Sequence, residues 1–260
     1  MAGHSQFKNI MHRKGRQDAK RAKIFTKIGR ELMVSAKLGG GNPEFNPRLR
    51  AALIEARGAN MPSDRIKKAI DSALGVGDTA IYEETRYEGF GPGGVSIIVD
   101  CLTDNRTRTS NDVRMIFNKR GGNMGDSGSV AYLFDRVGCV IYPYALASDD
   151  AMFESAVSAG AEDVISEPGD PDTDVPGTHT IYCAVEKLAS VRDALAVTYG
   201  DADKAALVWR PNVSMDLTDV DAAQGILNLI DALEDHDDVQ VVTTNAVFSD
   251  AVMGELEARN

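Results

Sequence analysis

No apolar run in the 260-residue sequence approaches the roughly 18 residues that a membrane helix needs, so no membrane partner is expected. The charged-then-apolar opening of a secretory signal is missing too, and the Arg-rich, acid-poor N-terminus, although it shares the composition of an organellar transit peptide, reads as part of the mature protein. Cysteine is scarce. Cys101, Cys139 and Cys183 lie far apart in apolar, strand-like runs, and no pair has metal-ligand spacing. They read as buried, reduced thiols, and an odd number without partners fits the cytoplasm. The four histidines are as thinly spread: His4 and His12 sit in a basic opening, while His179 and His236 stand alone in a strand edge and an acidic loop, without a visible partner. An enzyme of this length usually concentrates His, Cys, Ser or paired carboxylates at reactive spacing, and this chain does not. Asp100 and Asp104 are the only acidic pair flanking a strand end where a metal could sit, as a magnesium-dependent nuclease would require. Surface and capping aspartates are far commoner than metal ligands. The expectation is a non-enzyme with no catalytic residue, metal, cofactor or small-molecule substrate.

What is abundant is charge, unevenly placed. Residues 1–74 hold 16 Lys and Arg against 6 Asp and Glu, a net +10, whereas residues 75–260 carry a net −21 within a chain total of −11. The positive charge peaks between Lys8 and Lys37, with ten basic residues against Asp18 and Glu31. Arg16, Lys20, Lys23, Lys27 and Arg30 step by 4, 3, 4 and 3, the spacing that places side chains on one helix face. Ile24, Phe25, Ile28 and Leu32 fall on a neighbouring arc, so one helix can bury one side and present cations on another. At 1.5 Å per residue the stripe spans roughly 21 Å, and a duplex carries a charge about every 1.7 Å, so several phosphates lie within reach. A basic but merely solvated face is the competing reading. The polar, basic segment His4 to Lys14, with the composition of an arm that orders on binding, and the acidity of the remaining chain favour a polyanion partner.

Taken in order, the first helix stops at Gly39-Gly40-Gly41, and a second begins at Asn46-Pro47 with Leu49, Leu53 and Ala56 as its apolar seam. Ser63-Asp64 is expected to cap a third helix carrying Ile66, Ile70, Ala73 and Leu74. Arg48, Arg50, Arg65, Lys67 and Lys68 add to the positive field of this three-helix unit. Beyond Gly75-Val76-Gly77-Asp78, strands Tyr82 to Tyr87 and Val95 to Leu102 flank a glycine cluster that lacks the Lys-Ser/Thr of a phosphate loop and reads as a tight turn. A capping box at Thr109-Ser110-Asn111-Asp112 predicts a helix start, beside the cluster Arg106, Arg108 and Arg114, where a phosphate contact and a salt bridge to a local carboxylate are both open. Strands are predicted at Ser129 to Phe134 and Cys139 to Tyr142. They are followed by helix Asp149 to Ala159, strand Asp163 to Ser166, strand Thr180 to Val185, helix Leu188 to Tyr199 and strand Ala206 to Arg210. That βαββαβ order is ferredoxin-like. The remaining helix, Asp219 to Leu233, and strand from Val239 cannot bury their apolar faces alone. The expected architecture is α+β: a basic helical domain with its arm at 1–78, an α/β domain formed by 79–136 plus 211–248, and a ferredoxin-like domain at 137–210 inserted in it.

The segments GHSQFKNIMHRKGRQDAKRAKIFTKIGREL, GGGNPEFNPRLR, ANMPSDRIKKAI, YEGFGPGGVSIIV, CLTDNRTRT and KRGGNMGDSGSVAYLF, in this order, closely resemble the YebC/PmpR family of bacterial and organellar proteins. The likeness is dense from Ala2 to about Phe134 and holds by pattern beyond. Gln6-Phe7 departs from it, the family usually carrying lysine and tryptophan there, which weakens base stacking at position 7. The resemblance implies a helical N-terminal domain plus two α/β domains, no catalytic site, and one of two roles. One is a ribosome-associated translation factor that relieves stalling, notably at proline runs; the other is a DNA-binding transcriptional regulator. Because the likeness begins at Ala2, no presequence and a cytoplasmic address are expected. The nucleic-acid-binding residues expected are Lys8, His12, Arg13, Lys14, Arg16, Lys20, Arg21, Lys23, Lys27, Arg30, Arg106 and Arg108. A stripe made mostly of lysine suits backbone contact more than base reading, which favours structured ribosomal RNA and the ribosome, while the family's naming favours promoter DNA.

Overall fold

The computed structural model describes residues 17–75, 81–170 and 176–259, with side chains on the first helix described from residue 22 onward. The chain opens with helices α1 (Gln17–Gly39), α2 (Pro47–Gly58) and α3 (Ser63–Leu74). Strands β1 (Glu83–Phe90) and β2 (Ser96–Thr103), helix α4 (Arg106–Lys119) and the short β3 (Asn123–Met124) follow. Next come β4 (Phe134–Pro143), α5 (Asp149–Ala159), β5 (Asp163–Glu167), β6 (Thr178–Cys183), α6 (Leu188–Tyr199) and β7 (Lys204–Pro211). The chain closes with β8 (Met215–Leu217), α7 (Val220–Glu234), β9 (Val239–Thr244), β10 (Ala246–Phe248) and α8 (Asp250–Ala258). It divides into two compact units, residues 81–135 with 209–259 and residues 17–75 with 136–208. Among the described residues no helix is long and apolar enough to cross a membrane.

In the first unit the sheet order is β3-β1-β2-β9, and in the second β5-β6-β4-β7. The latter, with its strands connected βαββαβ, is the ferredoxin-like order predicted for this stretch. The former has the same spatial order with one strand, β1, moved to the start. The chain leaves this first sheet at β3, builds the second, and returns through β9. The α+β class expected from the sequence is therefore present. Apolar residues of β1, β2 and β9 pack under α4, α7 and α8, with Ile97, Val99, Phe117, Ile226 and Leu229 fully buried. The glycine cluster is the β1–β2 turn, in which Gly93 and Gly94 take φ of 73° and 81°, a region that a side chain disfavours.

Several local expectations are corrected. Ser129 to Phe134 is not a strand: Ala131–Leu133 is a 3-10 turn, Val130 and Phe134 are buried, and Tyr132 is 71% exposed. The reason is Glu88, whose buried carboxylate accepts from the N–H groups of Gly128 (3.0 Å), Val130 (2.9 Å) and Ala131 (2.9 Å), so these amides never reach a ladder. Helix α4 starts at Arg106, not at the Thr109 capping box, because Asn105 caps it first by accepting from the Arg108 N–H at 3.0 Å. In α3, Ser63 is helical rather than a cap; the Pro62 carbonyl accepts from the Arg65 and Ile66 N–H groups instead. Ile24 (47% exposed) and Leu74 (51% exposed) lie off the apolar seams assigned to them. The short strands β3, β8 and β10 and helix α8 have no counterpart among the elements expected from the sequence.

Candidate nucleic-acid interface

Helix α1 is two-faced. Phe25, Ile28, Leu32 and Ala36 recur at intervals of three and four and pack on Leu49, Ala56 and Met61 of the following segments. Its end is set by Gly40 (φ 82°), and the next loop is locked by Asn46, which is buried. The Asn46 amide donates to the Ser35 carbonyl (2.7 Å) and the Gly40 carbonyl (2.8 Å), and its oxygen accepts from the Leu49 N–H (3.0 Å). Glu31 holds the Arg48 guanidinium through two hydrogen bonds of 2.6 and 2.9 Å, and the Arg65 guanidinium lies 5.5 Å above the Phe25 ring. These contacts fix α1 by its apolar flank and leave the rotation of its basic flank determined.

On that flank Lys23, Lys27 and Arg30 are half-buried, share one helix face, and each also engages another group of the chain. Lys20 and Arg21 belong to the same helix, with side chains outside the described set. Lys8, His12, Arg13, Lys14 and Arg16 lie outside the described residues altogether. Lys67 and Lys68 are exposed on α3.

Arg106 and Arg108 belong to the other compact unit. Arg106 is exposed, and its carbonyl accepts from the Tyr87 hydroxyl at 3.2 Å. Arg108 donates to Asp238 (2.9 Å) and Asp104 (2.7 Å). The hydrogen bond to Asp238, then that to Asp104, pushes its pKa further up. Asp238 is buried and also accepts from the Thr109 hydroxyl at 2.7 Å, so Arg108 completes a network joining α4 to the start of β9. Of the two roles open for this cluster, the carboxylate bridge is the one Arg108 makes.

His179, His236, Asp100 and Asp104 are likewise engaged. His179, buried, bonds through Nδ1 to the Ser166 hydroxyl (2.7 Å) and through Nε2 to the Tyr144 and Ala147 carbonyls (both 3.1 Å), and its ring stacks on Tyr144. His236 Nε2 lies 3.3 Å from Asp112. The lack of partners read from sequence is thus corrected for both; the partners come from other elements. Asp100 accepts from the Trp209 indole N–H at 3.0 Å, over which Arg86 stacks at 4.6 Å, while Asp104 is bound by Arg108. Each of the two acids is thus engaged by another side chain of the protein, and among the described residues no three His, Cys, Asp or Glu come together as a metal site. Cys101, Cys139 and Cys183 are buried and form no disulfide among the described residues, and burial pushes the Cys183 thiol up.

The family model described as the TACO1/YebC protein N-terminal domain matches residues 5–76, and that of the TACO1/YebC second and third domain matches residues 82–246. Among solved structures, the chain is similar to the crystal structure of a conserved hypothetical protein, Aq1575, from Aquifex aeolicus. The two are 42% identical over 90% of this chain and 93% of that one, with a TM-score of 0.80.

Proposed function

The chain belongs to the TACO1/YebC family of transcriptional regulators and translational activators, and we propose that it is a nucleic-acid-binding translation factor acting on ribosomal RNA to relieve stalling. The observation that carries this reading is the basic flank of α1, set opposite an apolar flank that holds the helix in place. Lysine at Lys20, Lys23 and Lys27 delivers point charges to phosphates and reads no base edge. A surface of that kind recognises the shape and charge density of a folded RNA. In this reading residues 1–78 form the binding domain, with the arm's Lys8, His12, Arg13, Lys14 and Arg16 extending the grip. The acidic domains at 79–136 plus 211–248 and at 137–210 keep polyanions off the rest of the molecule. Arg106 is assigned a peripheral phosphate contact, and no step of chemistry is assigned to any residue.

Equilibrium binding across a salt series tests the proposal. The full chain is titrated with a structured ribosomal RNA fragment, a single strand of equal length and a promoter duplex. Structured RNA of unrelated sequences is expected to bind with similar affinity and with a log–log salt slope of about −4 to −6, as five to seven phosphate contacts would give. A duplex bound tightly in one sequence only, with weak RNA binding, would move the protein to transcriptional control.

A further inference from the structure

Away from the stripe, but within the unit formed by residues 17–75 and 136–208, α2 packs beside α6 and the loop before β7. The approach is close: a Cβ on Gly58 would come within 3.3 Å of the Asp203 carbonyl. Between these elements lies a cleft of about 320 Å³, within the range of small-molecule sites. Arg50, Arg57 and Arg192 line it, together with the apolar Leu53, Ile54 and Ala196.

Each of the three guanidiniums keeps N–H donors beyond those its described bonds use. Arg192 is only 7% exposed, yet its Nε (2.8 Å) and Nη2 (2.7 Å) converge on the same oxygen of Asp193, whose side chain is 60% exposed. These bonds use only two of its three nitrogens; a guanidinium carries five N–H donors, and the remainder are not sealed in the interior, so they can meet an acceptor entering the cleft. Arg50 is held by neutral carbonyls, donating from Nε to Pro43 (3.1 Å) and from Nη2 to Glu44 (2.9 Å), so it is positioned without being neutralised. Arg57 faces Asp201 at 3.7 Å with both side chains largely exposed, a loose pair that a stronger anion displaces. The carboxylates of Glu44, Asp193 and Asp201 also line the cleft and disfavour a run of phosphates such as a nucleic-acid backbone. What remains suitable is one dianionic phosphate on the arginines with an uncharged, flat body on Leu53, Ile54 and Ala196.

We infer that this cleft is a binding site for a nucleotide 5′-monophosphate, separate from the basic stripe and independent of whether the stripe binds RNA. The phosphate takes the free N–H groups of Arg192 and Arg50 and the Arg57 charge. The nucleotide comes either from the free pool or from the 5′ end of an RNA, and the phosphate chemistry is the same.

Calorimetric titration of the full chain with AMP, GMP, CMP and UMP tests this, with adenosine, inorganic phosphate and 5′-phosphorylated and 5′-hydroxyl tetranucleotides alongside. At least one monophosphate is expected to bind in the sub-millimolar range, with adenosine weaker by about tenfold or more. Arg50→Gln and Arg57→Gln, both outside the core, are each expected to weaken it about tenfold; Arg192→Gln abolishes it, with circular dichroism reporting whether the fold survives. Lys23→Glu with Lys27→Glu leaves it unchanged. Binding of the 5′-phosphorylated tetranucleotide assigns an RNA end, and binding of mononucleotides alone assigns the free pool; either supports the site. Absence of binding up to about 10 mM, or binding untouched by Arg50→Gln and Arg57→Gln, overturns it. Binding lost in the stripe variant instead also overturns the cleft and leaves the proposed function standing.

Discussion

Reversal of Arg16, Lys20, Lys23 and Lys27 to glutamate is expected to lower affinity for structured RNA by about a thousandfold at low salt. Each contact between unit charges about 4 Å apart in water contributes about 1 kcal/mol, and four are lost. The salt slope is expected to shrink by about 3 to 4 units, since each duplex phosphate contact contributes about 0.9. The two readouts must move together, because both count released counterions. The fold is expected to persist: the stabilising face of α1 is Phe25, Ile28, Leu32 and Ala36, and Lys23 and Lys27 lie off it. Far-ultraviolet circular dichroism and gel-shift titration across the salt series check both halves. Unchanged affinity in a folded variant would reduce the stripe to a solvated helix face.

The second large effect concerns stability. Glu88 is 2% exposed, and its carboxylate organises the segment that follows β3, accepting three backbone N–H bonds. Burial alone would raise its pKa, but the bonds from Gly128, Val130 and Ala131, aided by the Arg86 charge, outweigh it and hold the group below its ordinary 4.5. Glu88→Ala leaves three amide donors unsatisfied and uncovers Ile98, Val130 and Phe134, which that segment encloses. The expected loss is about 3–5 kcal/mol. Glu88→Gln keeps the shape, but its amide group meets the Gly128 N–H donor to donor, and about 2–3 kcal/mol is expected. Because the folded pKa is depressed, the contribution is fully present above the unfolded value and is lost as pH falls through the folded one. Wild-type stability should therefore fall more steeply below about pH 4.5 than that of Glu88→Gln. Urea unfolding of the two proteins between pH 3 and pH 7, followed by Trp209 fluorescence, measures this. Parallel curves would remove Glu88 from that role.

How much of this was legible depends on the range over which each interaction acts. Helix α6 is legible to both its ends, and the α2 start is legible in Asn46-Pro47, because periodicity and caps are local signals. The common face of Lys23, Lys27 and Arg30 is legible for the same reason. Strands β8 and β10, three residues each, are too short to carry a period and exist because each pairs with the other. The Ser129 to Phe134 alternation was real, yet Glu88, 40 residues before Gly128, claimed the amides. Nothing near Arg108 signals Asp238, and the partners of His179 come from two other segments. The nucleotide cleft needs α2 and α6 side by side, a juxtaposition visible only in the folded chain.

The most direct test of an RNA-binding translation factor is ultraviolet crosslinking in living cells, followed by sequencing of all nucleic acid attached to the protein, with the stripe reversal as control. The account predicts ribosomal RNA, trapped at a few defined positions and lost in the reversed variant. Discrete promoter DNA without ribosomal RNA would contradict it and make the protein a transcriptional regulator.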